Sequence, residues 1–372
     1  MPILALNAGS SSLKYAVFRG DDARPIAAAT VDLERERIDF AAAAARVIGE
    51  ARAAAAPHGG IAAVGHRVVH GGVRFHEAVA LDATVEGEIA RLAELAPLHN
   101  PPALAVIAAT RAAIPDVPQA AAFDTAFFAA LPPRAHVYPL PWEWYTQRGI
   151  RRFGFHGLSH QSAALRTAEL APAARRVVTC HLGQGCSAAA IDGTTAVATT
   201  MGYTPLEGLM MGSRSGSVDP GILLELLRGG SMKPAEVEKA LLHEAGLLGV
   251  SGVSSDFRKV QAAADAGNAR AVLALEMYGD RVRSAVASLA STLGGLDALV
   301  FTGGVGEGSS RMRAAVAEGL AFAGVRLDPE RNAGAADGDD ISGEGAPARV
   351  FVLRAREEWM IARETRRVTG AA

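Results

Sequence analysis

Ile3 to Leu6 is a short apolar run, Asn7 to Ser12 a polar Gly/Ser segment, and Leu13 to Arg19 a second run in which apolar and polar positions alternate. That pattern predicts a strand, a tight turn and a returning strand: a hairpin with a polar tip. The same plan recurs at Val177 to Leu182, Gly183 to Gly185 and Cys186 to Ile191, closed by Asp192 and Gly193. Two hairpins of one kind point to an architecture built twice, although similar hairpins also arise without duplication. Between them, apolar positions at helical spacing predict helices over Glu86 to Leu95 and Pro102 to Ala113, the second opened by Pro101 and Pro102 after Asn100. Ala120 to Phe123 reads as a strand ending at Asp124, and a proline-rich stretch through Pro132, Pro133, Pro139 and Pro141 follows as a candidate boundary. In the second half, Pro220 to Arg228, Pro234 to Ala245, Ala269 to Leu293 and Ser310 to Ala323 are expected helices, and Leu299 to Thr302 a buried strand. The chain ends as a strand over Arg349 to Leu353 and a helix over Glu357 to Val368.

Composition narrows the class. With 372 residues, two or three domains are expected; apolar content of 49% and charged content of 20% are globular proportions. Much of the apolar share is alanine, as in Ala41 to Ala45, which favours helix without adding core volume. Lys and Arg total 37 against 39 Asp and Glu, a net charge of −2, so no global positive field exists to hold a nucleic acid or an anionic membrane. Two cysteines, Cys180 and Cys186, neither staple a chain of this size nor offer metal-ligand spacing, which fits a reduced, cytoplasmic compartment. The first residues lack a basic leader pattern, and no apolar run approaches the roughly 20 residues of a membrane helix.

The segments with chemical potential are the polar tips. Asn7, Gly9, Ser10, Ser11, Ser12 and Lys14 place small donors, a flexible backbone and one ammonium group in eight residues, a composition that suits a phosphate and also makes an ordinary turn. It is not a Walker loop. Phe301 to Ser310, FTGGVGEGSS, follows an apolar strand and opens a helix, so its N–H groups and the helix dipole converge. The dinucleotide pattern G-x-G-x-x-G fails there at its third glycine, where Ser309 stands. Arg67, Arg214 and Arg258 lie beside glycines or small polar residues, and their forked guanidinium groups suit carboxylate or phosphate. His66, His70, His99, His156, His160 and His181 lie near glycine or proline, without zinc spacing. A serine hydrolase is disfavoured because no G-x-S-x-G elbow is present. Asp124 and the adjacent Glu357 and Glu358 are candidate Mg²⁺ ligands, while two acids at a helix start also simply complement its dipole.

Read in order, the blocks LNAGSSSLKY (6–15), GHRVVHGG (65–72), PLHNPP (97–102), FDTAF (123–127), RRFGFHGLSH (151–160), HLGQGCS (181–187), MGYTPLEGLMMGSRSG (201–216), SSDFR (254–258), GGVGE (303–307) and EEWMIARET (357–365) resemble the acetate kinase family of the acetate and sugar kinase, Hsp70 and actin superfamily. The resemblance implies an α/β fold of duplicated ribonuclease H-like domains, the actin-like ATPase plan, with the active-site cleft between them. It implies a first domain over 1–123 with 355–372 and a second, nucleotide-binding domain over 124–354. The expected activity is reversible phosphoryl transfer from ATP to acetate, giving acetyl phosphate and ADP, with Mg²⁺ or in its place Mn²⁺. Arg67, Asp124, His156 and Arg214 carry over as the catalytic set, with Arg67 also holding the substrate carboxylate. Val69, Leu98, Phe155 and Pro205 carry over as the pocket for its methyl group. Nucleotide contacts are expected at Lys14, at His181, Leu182, Gly183, Gln184 and Gly185, at Asp256, Phe257 and Arg258, and at Gly304, Val305, Gly306, Glu307 and Gly308. The metal is expected near Asn7 and Glu357, and a homodimer is implied. Acetate is ionised at neutral pH, so no general base is needed, and Asp124 is expected to orient an arginine or water-bound Mg²⁺.

This chain departs from the family pattern at Gln184 and Gly308, where Asn is usual, at Phe128 for His, Leu158 for Thr and Ser217 for Asp. The first two touch the expected nucleotide loops, which leaves the phosphoryl donor open; Ser217 removes a carboxylate close to Arg214. A propionate or other short-chain acyl kinase on the same scaffold is the near alternative. A non-catalytic nucleotide-binding protein of the actin kind is disfavoured, because such a binder has no use for a carboxylate-facing arginine.

Overall fold

Each hairpin begins with a strand buried on both faces, and each is the seed of a sheet. The computed structural model describes the whole chain except Ser10, Leu95, Pro97, Leu98 and Ala372. Its strands are β1 (Pro2–Ala8), β2 (Ser12–Arg19), β3 (Ala27–Asp32), β4 (Ala63–Val68), β5 (Val79–Ala80), β6 (Gln119–Phe123), β7 (Arg176–Leu182), β8 (Cys186–Asp192), β9 (Thr195–Thr199), β10 (Ala298–Thr302), β11 (Asp339–Asp340) and β12 (Arg349–Val352). The helices that matter below are α1 (Phe40–Ala55), α2 (Asn100–Ala113), α3 (Gly157–Leu170), α4 (Pro234–Lys239), α5 (Phe257–Asp265), α6 (Ala269–Leu293), α7 (Gly303–Gly308), α8 (Ser310–Glu318) and α9 (Glu357–Thr369). The chain divides into two compact units, one of Met1–Ala130, Phe155–Ser162 and Arg356–Ala372, the other of Leu131–Gly154 and Ala163–Ala355.

In the first unit the sheet order is β3-β2-β1-β4-β6-β5, and in the second it is β9-β8-β7-β10-β12-β11. The pairing senses match position by position: the hairpin and its third strand are antiparallel, the next two strands add in parallel, and the last is antiparallel. One topology used twice is the duplication that the two hairpins suggested.

Helices cover the sheets because alternate strand residues point to opposite faces. On one face of the first sheet, Leu4, Leu6 and Val64 join a core with Ala43, Ala44, Val47, Ile48 and Ala51 of α1. The small alanines of this stripe let the helix lie close, so the alanine run that inflated the composition has a packing role. The other face receives α9, which buries Met360, Ile361, Ala362 and Thr365. Gly65 on β4 is the contact point: a Cβ there would lie 2.0 Å from Thr365 Oγ1 and 2.6 Å from the Ile361 side chain. In the second unit α6 packs on β7 and β8.

Four expected elements differ: the helix expected over Glu86 to Leu95 starts at Ala83, where the Asp82 side chain caps Val85 N, and ends at Arg91 in a 3₁₀ turn over Leu92–Glu94. Asn7 and Ala8 belong to β1, paired with Lys14 and Leu13, rather than to the turn, because the antiparallel ladder continues to the last residues before the tip. The helix expected over Pro234 to Ala245 stops as α4 at Lys239 and widens into a π-helical turn over Ala240–Glu244. Its backbone groups there are drawn to another segment: the Leu241 carbonyl accepts from Ser215 N at 3.1 Å, the Leu242 carbonyl from Ser213 Oγ at 3.1 Å, and Ala245 N donates to the Ser213 carbonyl at 3.0 Å. The helix expected over Ser310 to Ala323 ends at Glu318, before Gly319, and a separate 3₁₀ turn covers Ala321–Ala323. Elements absent from the sequence reading include β3, β4, α1 and α3.

Candidate active site

In the first unit β1, β4 and β6 run parallel, so Asn7, Arg67 and Asp124 arrive together at the carboxyl ends of their strands, where open α/β sheets place ligands. Asp124 N donates to the Val68 carbonyl at 3.0 Å, which fixes the register of that edge. Arg67 Nε and Nη2 both donate to Asp124 Oδ2, at 3.0 and 2.5 Å, and Arg67 Nη1 donates to Asn7 Oδ1 at 3.0 Å. Among the described residues these bonds leave one N–H on each terminal nitrogen of Arg67, a pair suited to a carboxylate or phosphate. The Asn7 amide nitrogen in turn donates to Glu357 Oε2 at 2.9 Å and Glu358 Oε1 at 2.8 Å. Both glutamates open α9, where the helix dipole favours negative charge. Gly65, by letting α9 sit against β4, brings that helix end within reach of Asn7.

Asp124 is fully buried and Arg67 retains 12% of its side-chain exposure. Burial, together with the nearby charge of Glu357, pushes the Asp124 carboxyl above the usual aspartate range, against the lowering effect of Arg67. Arg67, in spite of its own desolvation, is held more firmly protonated by Asp124 and Glu357. Asp124 Oδ1 makes no regular hydrogen bond among the described residues, and the Leu158 N–H favours the ionised form from nearby. Asp124 Oδ2 is thus the common acceptor of two Arg67 nitrogens.

The loop after β6 is approached by the start of α3. A Cβ on Gly157 would lie 1.9 Å from the Asp124 carbonyl oxygen, so the backbone contact admits only glycine. His156, just before it, has φ of 58°, a left-handed conformation uncommon for a side-chain-bearing residue and one that concentrates at functional sites. Phe155 and Val69 are buried, with Phe155 edge-on to His70 at 5.4 Å. Leu98 lies outside the described residues. Lys14 is exposed on β2 directly opposite Asn7.

The oxygen donors of Asn7, Asp124, Glu357 and Glu358 are of the hard kind that magnesium prefers. Among the described residues no group of three or more His, Cys, Asp or Glu forms a metal cage. A metal held by one or two protein oxygens and otherwise by water and substrate phosphates fits this donor set, and that is the usual manner of Mg²⁺.

In the second unit a cavity of about 510 Å³ is lined by Gly183, Gln184, Ser255, Asp256, Phe257, Arg258, Gln261, Gly304, Val305, Gly308 and Ser309. Eight of these were singled out from sequence; Ser255, Gln261 and Ser309 were not. Gln261 was discoverable, because it lies one helical turn beyond Phe257 and shares its face. Of the remaining candidates, Leu182 is core, His181 and Gly185 are half-buried, and Gly306 is buried against Phe301. Glu307 faces the backbone: its Oε1 accepts from Gly303 N at 3.0 Å and Ala355 N at 2.9 Å. Arg258 is paired with Asp256 at 2.8 Å, which with the capping bond from Arg258 N holds the Asp256 carboxyl below its ordinary value.

Behind the cavity, Phe257 packs at 5.8 Å from the ring of Tyr278, whose hydroxyl is 3.0 Å from Cys186 Sγ. Cys186 donates to the Gly183 carbonyl at 3.3 Å and so steadies the loop. Burial pushes the Cys186 thiol up to about 11 and that of Cys180 up to about 12, so both are protonated and unreactive at neutral pH. Arg214, half-buried in the same unit, donates from Nη1 to the Pro205 carbonyl at 3.2 Å and makes no ion pair among the described residues. Burial lowers its pKa, with the Cys186 thiol opposing.

Residues 35–363 match the sequence profile of the Acetokinase family. An acetate kinase of Synechococcus is 47% identical over 97% of this chain and 98% of its own. A propionate kinase of Citrobacter rodentium is 48% identical over 84% of this chain and 77% of its own. The crystal structure of Porphyromonas gingivalis acetate kinase superposes with a TM-score of 0.88 at 34% identity, covering 99% of each chain. A match this extensive, at these identities, means that the chain belongs to the acetokinase family.

Proposed function

We propose that this chain transfers the γ-phosphoryl group of ATP to acetate, reversibly, giving acetyl phosphate and ADP. The observation that carries the reading is the Arg67 fork, held by Asp124 and Asn7 with one N–H on each terminal nitrogen left unengaged among the described residues. Acetate has one carboxylate for that fork to hold, and its methyl group is matched to Val69, Leu98, Phe155 and Pro205. Because acetate is already ionised at pH 7, Asp124 has no proton to remove; it orients Arg67 instead. The phosphoryl group passing between two oxygens spreads charge over its equatorial oxygens, and Arg214 with His156 supplies donors to them. ATP is assigned to the cavity of the second unit, its adenosine against Asp256 to Arg258 and the glycines of α7 and its phosphates toward Gly183 to Gly185; the family pattern adds Lys14 as a phosphate contact. Glu357 and Asn7 are the residues assigned to hold Mg²⁺. That ion neutralises phosphate charge when bound.

The reading includes a cytoplasmic homodimer, supported by the family pattern and by two buried, unpaired cysteines. Light scattering on purified protein tests the dimer. Propionate is a weaker substrate on this reading, since one methylene in an apolar pocket is worth about 1–3 kcal/mol. The decisive experiment is a hydroxamate assay for acyl phosphate with ATP, Mg²⁺ and acetate, repeated with propionate and with Arg214→Ala. Acetyl phosphate formed rapidly and lost in the variant is the expected result; no acyl phosphate from folded protein that still binds ATP refutes it.

A further inference from the structure

Among the described residues Arg214 has no carboxylate partner, yet a transition-state arginine must be aimed. Its backbone is fixed on one side by the Met211 N–H on its carbonyl at 3.1 Å and by the π-helical turn that holds Ser213 and Ser215. Its guanidinium is held, among the described residues, by the Pro205 carbonyl alone. The segment bearing Pro205, from Thr200 to Gly208, is closed on itself by three side chains. Arg152 Nη1 donates to the Thr200 and Met201 carbonyls at 2.9 and 3.0 Å, and its Nη2 donates to Glu207 Oε1 at 2.7 Å, so one guanidinium ties the two ends of the loop. The Tyr138 hydroxyl donates to Glu207 Oε2 and accepts from Tyr203 N at 2.9 Å, which ties its middle. Arg152 also stacks over the Tyr138 ring at 5.3 Å. Gly202 makes room for the knot: a Cβ there would fall 1.6 Å from Glu207 Oε2 and 2.2 Å from Tyr138 Oη.

We propose that Glu207, held by Tyr138 and Arg152, is a positioning residue that aims Arg214 through the Pro205 carbonyl. The assignment rests on the reading of Arg214 as the charge-stabilising arginine of the phosphoryl transfer. Both Glu207 carboxylate oxygens are taken by Tyr138 and Arg152; without them Arg152 and Tyr138 lose their common acceptor, the loop opens, and the carbonyl that steers Arg214 drifts.

The test is a double-mutant cycle on kcat for acetyl phosphate formation, with Glu207→Ala in wild-type and Arg214→Lys backgrounds, and Tyr138→Phe as a milder variant should Glu207→Ala not fold. Glu207→Ala is expected to lower kcat by about tenfold in the wild-type background and by less than about twofold beside Arg214→Lys, the non-additivity of coupled residues. Tyr138→Phe shows the same signature at smaller amplitude, and ADP affinity by calorimetry is unchanged in every folded variant. Additive losses, a parallel fall in ADP affinity, or wild-type kcat in Glu207→Ala or in Tyr138→Phe would overturn the assignment. A wild-type chain that makes no acetyl phosphate instead sinks the kinase reading itself, before any variant is compared.

Discussion

His66 sits one residue before Arg67 on β4, fully buried between β1 and β6, with Nε2 2.8 Å from Gln119 Oε1 and no partner for Nδ1 among the described residues. Burial is the main reason its pKa falls from 6.5 to about 4; the positive charge of Arg111 pushes the same way, and the bond to Gln119 opposes both. The imidazole is therefore neutral in the fold at pH values where the unfolded chain carries it charged. A folded pKa below the unfolded one means stability that is complete above pH 6.5 and drains away as pH falls toward 4. Between those two values the full loss is about 3 kcal/mol, and about 2 kcal/mol of it is gone by pH 5. Urea unfolding of the wild type and of His66→Met at pH 7 and pH 5, followed by far-UV circular dichroism, reads this directly. The wild type should lose about 2 kcal/mol more than the variant over that interval, since methionine has no proton to take up. Equal losses in the two proteins would refute the reasoning, because other titrating groups are common to both.

Asp124→Asn keeps an acceptor for Arg67 but removes its counter-charge, and kcat for acetyl phosphate is expected to fall by at least about tenfold; near-normal turnover would remove any essential role for the carboxylate. Gly157→Ala drives a methyl group into the Asp124 carbonyl, so a stability loss of more than about 3 kcal/mol, or no folded protein, is expected in thermal unfolding. Arg313, 2% exposed, donates to the Gly306, Glu307 and Asn332 carbonyls and to Asn332 Oδ1, and so fastens α7 to the segment behind it. Arg313→Met leaves those carbonyls unpaired, and a loss of about 3 kcal/mol or more in denaturant unfolding is expected; a change below about 1 kcal/mol would show that water replaces the guanidinium without cost.

Alternation and glycine placement alone determined much of this protein. Both hairpins, the limits of α6 and the strand before the glycine-rich turn follow from local pattern, because a two-residue or helical period records which side of an element faces the core. The arginines beside glycine were legible as anion-binding candidates for the same local reason: a forked cation next to a backbone that can come close. Partners were not legible. Asn7 lies in a strand because its ladder partner Lys14 is there, and Glu358 rather than Glu357 alone reaches it because α9 crosses β4 at Gly65. Gln261 joined the cavity through helix phase, Ser309 as the extended residue between α7 and α8 that caps the second, and Glu307 left it by turning to two backbone N–H groups. The orientation of Arg67 depends on Asp124, 57 positions away in sequence, and on the parallel register of β4 and β6. Pairing across such distances leaves no periodic trace in either segment; only the folded sheet, by bringing the carboxyl ends of separate strands to one edge, decides which charge meets which.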